Sequence, residues 1–502
     1  MLVVLAGLPP GGPGTARAGR AQISILEDDH LLYYEGVVGQ QRGLDGMASL
    51  GVDVVHTVAR WRFFAPADSA SKPPKGFDGR NPASYPSDRW DTLDDIVRGA
   101  HARGMNVLLT PSSPAPDWAG TCSGKARKQY HGLCRPKARL FADFVHALGR
   151  RYSGSYRDES DGRVLPRVNF WSVWVEPNLS GWLYPQLQRV HGQTVVASAP
   201  IYRGLVNAAT GALHATGHSH DQVLLGETAP LGNGSGQVAP LRFYRALFCL
   251  DSRGHRLRGA AASAQGCSGR MRKLAVTGVA HHPYTRGAGT SFYRKIGRDD
   301  ATISGLSRIT GVMRQGGRAG AVPRSLASRL FLTEFGVSSK PPGTRYSVSL
   351  ATQAKWINEA DYLAYRNSSV RSVAQYELED DRSYSRTTFY TGVCFRSVPP
   401  APPCYPKPSW DAYRVPLYVV RHGKSVSVFG GARPGDTGMA EHIDIQQADS
   451  SGAFATVRTV RLNRAGWFTA TLPNRPGAWR LAWTPAAGGQ TYFSREAKAE
   501  TR

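Results

Sequence analysis

Two glutamates stand directly after apolar runs in this chain of 502 residues. Glu176 ends Phe170-Trp171-Ser172-Val173-Trp174-Val175 and is followed by Pro177-Asn178, while Glu334 ends Leu330-Phe331-Leu332-Thr333 and is followed by Phe335-Gly336. A carboxylate at the end of a buried strand lies at a rim, partly shielded from water, where its pKa can rise. Two such groups are what cleavage of a glycosidic acetal requires. One protonates the departing oxygen, and the other attacks or stabilises the oxocarbenium-like centre. A charge on one favours protonation of the other, which separates their roles. Either residue alone reads equally well as an ordinary turn residue, Glu-Pro-Asn especially. The pair is the signal.

Such a pair needs a scaffold that brings distant strand ends together. After residue 20, short β-branched or apolar runs alternate with longer helix-like stretches. The candidate strands are 22–27, 52–58, 106–110, 169–175, 222–226, 276–281, 329–333 and 370–375. Eight runs of this kind predict a (β/α)8 TIM barrel, whose strands are buried on both faces and read as nearly continuous apolar. Asp91-Thr92-Leu93-Asp94-Asp95 opens one helix with acidic residues early. Phe141, Phe144, Val145 and Leu148 form the i, i+3, i+4, i+7 stripe of another, a core-packing pattern. Glu176 then follows the fourth strand and Glu334 the seventh. Past Val398-Pro399-Pro400-Ala401-Pro402-Pro403, a stiff extended segment, short alternating runs separated by Gly, Pro, Asn and Asp continue to Trp483. They predict a small antiparallel, immunoglobulin-like β-sandwich. The expected fold is thus an α/β barrel over 21–410, an all-β sandwich over 411–490 and a tail over 491–502, charged and frayed from Arg495.

The two glutamate segments resemble the acid/base and nucleophile signatures of clan A glycoside hydrolases, cellulase-like and of the family 5 and family 39 kind. Trp171-x-x-Trp174-x-Glu176-Pro177-Asn178 and Thr333-Glu334-Phe335-Gly336 carry the likeness, with His281-His282-Pro283-Tyr284 between them. His282 and Tyr284 occupy the positions of the clan's His-x-Tyr. The likeness runs over roughly residues 22–390. It implies a retaining glycosidase with Glu176 as acid/base and Glu334 as nucleophile, the carboxylates about 5–5.5 Å apart. It also implies that Tyr284 hydrogen-bonds Glu334. Three positions depart from the pattern. Val175 stands where the family has an Asn that bonds the sugar 2-hydroxyl, a contact that strengthens in the transition state. His56 stands where an Arg is usual, with Arg60 and Arg62 the nearest substitutes. Tyr376 stands where the platform after the eighth strand is usually Trp.

Trp182 and Tyr184, just past Glu176, are expected to stack on sugar rings. Trp174 and Asn178, beside Glu176, are expected to contact substrate or support the site, whereas Trp61, Trp90, Trp118 and Trp410 read as readily as packing. Glu227, in Leu225-Gly226-Glu227-Thr228, is a further carboxylate at the mouth, expected to orient substrate or to pair with an arginine. Adjacent His281 and His282 point to opposite faces of a strand and cannot readily grip one ion. With no phosphate loop, dinucleotide fingerprint or Gly-x-Ser-x-Gly elbow, neither metal nor cofactor is expected.

The formal net charge is +25, spread along the chain rather than massed. That pattern suits a solvated surface and is compatible with affinity for an anionic cell-wall polymer; it gives no sign of nucleic-acid recognition. The cysteines fall into close pairs, Cys122 with Cys134, Cys249 with Cys267 and Cys394 with Cys404. Each pair brackets a loop-like stretch, which suits disulfides in an oxidising compartment, although other connectivities stay open. A short apolar run, Leu2 to Leu8, precedes Ala16-Arg17-Ala18, so residues 1–20 read as a truncated signal peptide. No transmembrane segment is expected. The expectation is a secreted monomer acting on an extracellular oligo- or polysaccharide. A catalytically weak carbohydrate- or cell-wall-binding barrel and a basic polyanion-binding protein are the other readings. Sugar, linkage and endo or exo cleavage depend on loop shape, which periodicity does not encode.

Overall fold

A computed structural model describes residues 22–232, 236–269, 271–381, 389–396, 404–435 and 437–501. The stretch read as a signal peptide and the proline-rich segment 398–403 lie outside the described residues. Eight strands carry the first part of the chain: β1 (Ile23–Glu27), β2 (Val54–Arg60), β3 (Asn106–Ser112), β4 (Phe170–Val173), β5 (Gln222–Thr228), β6 (Gly278–His281), β7 (Leu330–Leu332) and β8 (Ser372–Tyr376). A helix follows each: α1 (Gly36–Ser49), α2 (Asp91–Ala102), α3 (Ala138–Arg151), α4 (Ser198–Ala215), α5 (Pro240–Leu247), α6 (Leu306–Arg318), α7 (Leu350–Tyr365) and α8 (Pro408–Arg414). The strands pair in parallel in the order β8-β1-β2-β3-β4-β5-β6-β7. A parallel bridge between Leu330 and Val370 closes the ring. This is a (β/α)8 barrel, and the stripe Phe141, Phe144, Val145 and Leu148 buries α3 in the layer between strands and helices.

Side chains alternate along a strand, so inward positions recur every second residue. One inward layer is apolar. Ile25, Val54, Leu108, Phe170, Leu224, Ala280 and Phe331 pack as one cluster with Ala374 at its edge, one residue from each strand. Two residues further toward the C-terminal ends, the corresponding positions are Glu27, His56, Thr110, Ser172, His282, Thr333 and Tyr376, and the layer turns polar. On β5 that position is Gly226, and a bulge between Gly226 and Thr228 brings Glu227 into the layer instead. Gly226 has φ +108°, and a Cβ there would lie 2.3 Å from the Tyr244 hydroxyl. Only glycine makes this bulge cheaply.

Past α8 come β9 (Leu417–His422), β10 (Ser425–Gly431), β11 (His442–Ala448), β12 (Phe454–Arg461), β13 (Trp467–Pro473), β14 (Trp479–Trp483), β15 (Tyr492–Phe493) and β16 (Glu500–Thr501). One sheet has the order β13-β10-β9-β16 and the other β12-β11-β14-β15, the arrangement of an immunoglobulin-like sandwich. Val419, Val428, Ile445, Trp479 and Leu481 fill its own core. On the other face of the first sheet, Tyr418 stacks on Tyr362 of α7 at 5.2 Å and Phe429 meets Tyr365 at 5.0 Å. Alternation therefore serves two cores, and the sandwich covers a flank of the barrel. Trp467 packs on Phe429 at that interface.

Two expectations are corrected. Helix α8 runs across residue 410, so the sandwich starts at Leu417 rather than 411. Residues 491–501 are no frayed tail: Tyr492–Phe493 and Glu500–Thr501 each pair with a sheet strand, and Lys355 holds Glu500 at 2.7 Å. Disulfides join Cys122 to Cys134, Cys249 to Cys267 and Cys394 to Cys404. Among the described residues, no helix is long and apolar enough to cross a membrane.

Candidate active site

A cavity of about 620 Å³ opens at the C-terminal end of the barrel, with Glu27, Glu176, Trp182, Tyr284, Glu334 and Tyr376 in its wall. Glu176 projects from the turn after β4. Its φ is +38°, and Trp174 and Glu227 at neighbouring strand ends have φ +69°. Such conformations cost of order 1–3 kcal/mol each and persist where surrounding bonds hold them. Here the Glu176 amide donates to the Glu227 carbonyl at 3.0 Å. Asn178 acts as a strut. Its amide donates to the carbonyls of Ala229 and Val238, and its oxygen accepts from the Ala229 amide.

One imidazole joins the two carboxylates. His282 Nδ1 lies 3.1 Å from Glu176 Oε1, and Nε2 lies 3.4 Å from Glu334 Oε1. Each carboxylate has a second partner. The Trp182 indole N–H donates to Glu176 Oε2 at 3.1 Å, and the Tyr284 hydroxyl donates to Glu334 Oε2 at 3.2 Å. Both acids are mostly shielded, their side chains 16% and 12% exposed. Burial raises Glu334 well above the usual carboxylate range, helped by the charges of Glu27 and Glu176 and opposed by His56. With a proton on either acid, that acid can donate to one nitrogen of His282 while the N–H of the other nitrogen faces the second carboxylate. The arrangement suits one protonated and one ionised acid.

Beneath the cleft lies a second polar chain. His56 Nδ1 is 2.5 Å from Glu27 Oε2, and Nε2 is 3.2 Å from Glu227 Oε1 and 3.0 Å from the Thr110 hydroxyl. Thr110 also donates to Glu227 at 3.0 Å. All four residues are buried. Burial alone would lower the imidazole, but the charges of Glu27 and Glu227 hold it well above its ordinary range. Glu227, which burial pushes up, is brought below its ordinary range mainly by His56. The unit is a carboxylate–imidazolium–carboxylate triad supporting the site from below.

Several expected site residues lie elsewhere. Tyr184 does not line the cleft but stacks on Tyr130 at 3.6 Å. Trp174 is buried, packs against Phe141 and donates its N–H to the Trp182 carbonyl, so it positions Trp182 rather than meeting a ligand. Glu227 pairs with a histidine, not with an arginine. Neither Arg60 nor Arg62 joins the triad: Arg60 reaches Asp29 and the Tyr34 hydroxyl, and Arg62 reaches Asp68 and Asp117. His281 turns outward to Thr228 and the Ala301 carbonyl, where burial lowers it to about 3. Tyr376 and Val175 do line the cleft. Sequence reasoning missed Glu27, Thr110 and the exposed Phe389 of the cleft wall. Glu27 and Thr110 stand two residues past Ile25 and Leu108, so an inward period-2 count from each apolar position would have found them.

No family model and no curated protein matches the chain. Among solved structures, a GH30 endoxylanase from Clostridium papyrosolvens C71 is similar over 91% of this chain and 95% of its own, at 11% identity and TM-score 0.44. A family 1 β-glucosidase from Thermotoga maritima is similar over 79% of this chain and 91% of its own, at 11% identity and TM-score 0.44. An exo-β-1,4-mannosidase from Opitutaceae bacterium strain TAV5 is similar over 80% of this chain and 61% of its own, at 12% identity and TM-score 0.43.

Proposed function

We propose that the chain is a secreted retaining glycoside hydrolase, with Glu176 as acid/base and Glu334 as nucleophile. The observation that carries this reading is the pair of carboxylates from β4 and β7 sharing His282 in a cavity walled by Trp182, Tyr284 and Tyr376. Glu334, in its ionised form and with the Tyr284 hydroxyl donating to Oε2, attacks the anomeric carbon. Glu176 passes its proton to the departing glycosidic oxygen, leaving a glycosyl ester on Glu334 and a carboxylate at 176. That carboxylate takes a proton from a water molecule, whose oxygen attacks the anomeric carbon. The sugar leaves with its configuration retained, and both acids return to their starting states. Aromatic faces bury the apolar side of a sugar ring and leave its hydroxyls to the polar groups. Three disulfides suit an oxidising compartment.

The test is a panel of activated 2-fluoro glycosides, followed by peptide mass analysis, alongside Glu334→Gln on the matching aryl glycoside. The label is expected on the peptide carrying Glu334, with turnover lowered at least about 10⁴-fold in the variant. Turnover that survives in Glu334→Gln, or a label on another residue, overturns the reading.

A further inference from the structure

A smaller cavity of about 150 Å³ adjoins the cleft and shares Leu231, Thr285 and Arg286 with it. Its charge is unlike that of the cleft. Arg286, Arg294 and Lys295 line it, all exposed, and none makes a side-chain hydrogen bond or ion pair among the described residues. The local acid, Asp300, is already committed: its two oxygens accept the amides of Gly232 and Gly297 at 3.0 and 2.9 Å. Thr302 also lines the cavity. It is 2% exposed, and its hydroxyl has no hydrogen-bond partner among the described residues. A buried hydroxyl without a partner is costly unless something else supplies one. The other arginine of the cleft wall, Arg60, is paired with Asp29.

We propose that this cavity is an anion subsite of the cleft, taking a carboxylate or sulfate ester carried by the glycan. Three unpaired cations and one free hydroxyl donor match such a group. The cleft itself is lined by Glu27, Glu176 and Glu334, which disfavour an anion at the point of cleavage. The substrate class is therefore a polymer with a neutral sugar at the scissile bond and an acidic substituent on a neighbouring unit. The volume suits one substituent rather than a run of sugars. That the polymer is a glycan rests on the function proposed for the adjoining cleft.

The test measures binding without turnover. Glu334→Gln protein is run through gels containing dextran or dextran sulfate, and polygalacturonate or glucuronoxylan before and after carboxyl reduction. A second protein adds Arg286→Glu, Arg294→Glu and Lys295→Glu. A third adds Lys424→Glu, Arg458→Glu and Arg461→Glu, an equal charge change on exposed positions of the sandwich. Retardation by at least one anionic polymer over its neutral counterpart is expected, weakened on the order of tenfold in the second protein, as three exposed ion pairs warrant, and kept in the third. The sulfate and carboxylate arms identify the group. Equal loss in both reversed proteins would reduce the effect to diffuse surface charge and overturn the proposal; so would no loss in either, or no preference for any anionic polymer. Arg286→Gln with Arg294→Gln serves as a milder second variant should the triple reversal fail to fold. A negative result leaves hydrolysis of neutral aryl glycosides untouched, and an inactive cleft leaves the binding result readable.

Discussion

Replacing His56 by Gln removes the one cation between two buried carboxylates. Breaking a buried pair by deleting one partner costs about 3–5 kcal/mol, because the remaining charge is uncompensated. Glu227 keeps the Thr110 hydroxyl, whereas Glu27 loses its 2.5 Å contact. An unfolding entropy of about 2.1 cal/mol/K per residue makes 1 kcal/mol worth about 1 °C in a chain of this length. The melting temperature at pH 7 should therefore fall by about 3–5 °C. The pH dependence has a definite sign. His56 is raised above its ordinary 6.5, so its contribution is complete below that pH and is lost as pH climbs through the raised value. Glu227 is lowered below its ordinary 4.5, so its contribution is present above that pH and is lost as pH falls through the lowered value. The deficit of the variant is largest near neutrality and shrinks toward acid, where both orphaned carboxyls are protonated in either state. Loss of the same charge lets Glu334 protonate more readily, moving the acid limb of hydrolysis to higher pH. Thermal unfolding from pH 4 to 9 and a pH–rate profile on an aryl glycoside check both effects. A variant that melts with the parent at pH 7 and keeps its acid limb would show that no charged imidazole stands at position 56.

Tyr284→Phe removes the hydroxyl donated to Glu334; a hydrogen bond to a charged group is worth about 1.5–3 kcal/mol, so kcat/KM should fall about 10–100-fold with the acid limb raised. An unmoved limb would count against the charge assigned to Glu334. Trp182→Phe keeps the aromatic face but loses the N–H to Glu176, and a loss of about tenfold in kcat/KM with little change in melting temperature is expected. His281 is neutral in the fold at about 3 against an ordinary 6.5, so it carries stability above pH 6.5 that drains away as pH falls, up to ~5 kcal/mol at 1.36 kcal/mol per pH unit. His281→Gln should flatten the acid slope of the melting temperature, whatever it does to its height. Replacing Cys249 and Cys267 by Ser opens a loop of separation 18 and should cost about 3 kcal/mol, read as a lower melting temperature.

The barrel is legible in the sequence because every strand is buried on both faces, which leaves eight dense apolar runs at helix-length spacing. Glu176 and Glu334 are legible for the same reason: each interrupts such a run at its end. Glu27 ends the first run in the same way, yet its meaning lies in a register, since it stands opposite His56 on the neighbouring strand. Registers between strands are not local, and neither is the stacking of Tyr184 on Tyr130, which comes from a different loop. The tail is not legible, because charge density reports solvent exposure and not pairing: Glu500 is half of an ion pair on a sheet strand. Position 56 draws these points together. A histidine there is an unexplained departure when the strand is read alone. With β1 paired to β2 and β5 three strands further round the barrel, the imidazole has a carboxylate against each nitrogen, one of them delivered by the Gly226 bulge. Acids at 27 and 227 are what keep a short, titratable side chain cationic in a buried layer. Neutralising either removes one of the two charges that hold the imidazole above its ordinary range.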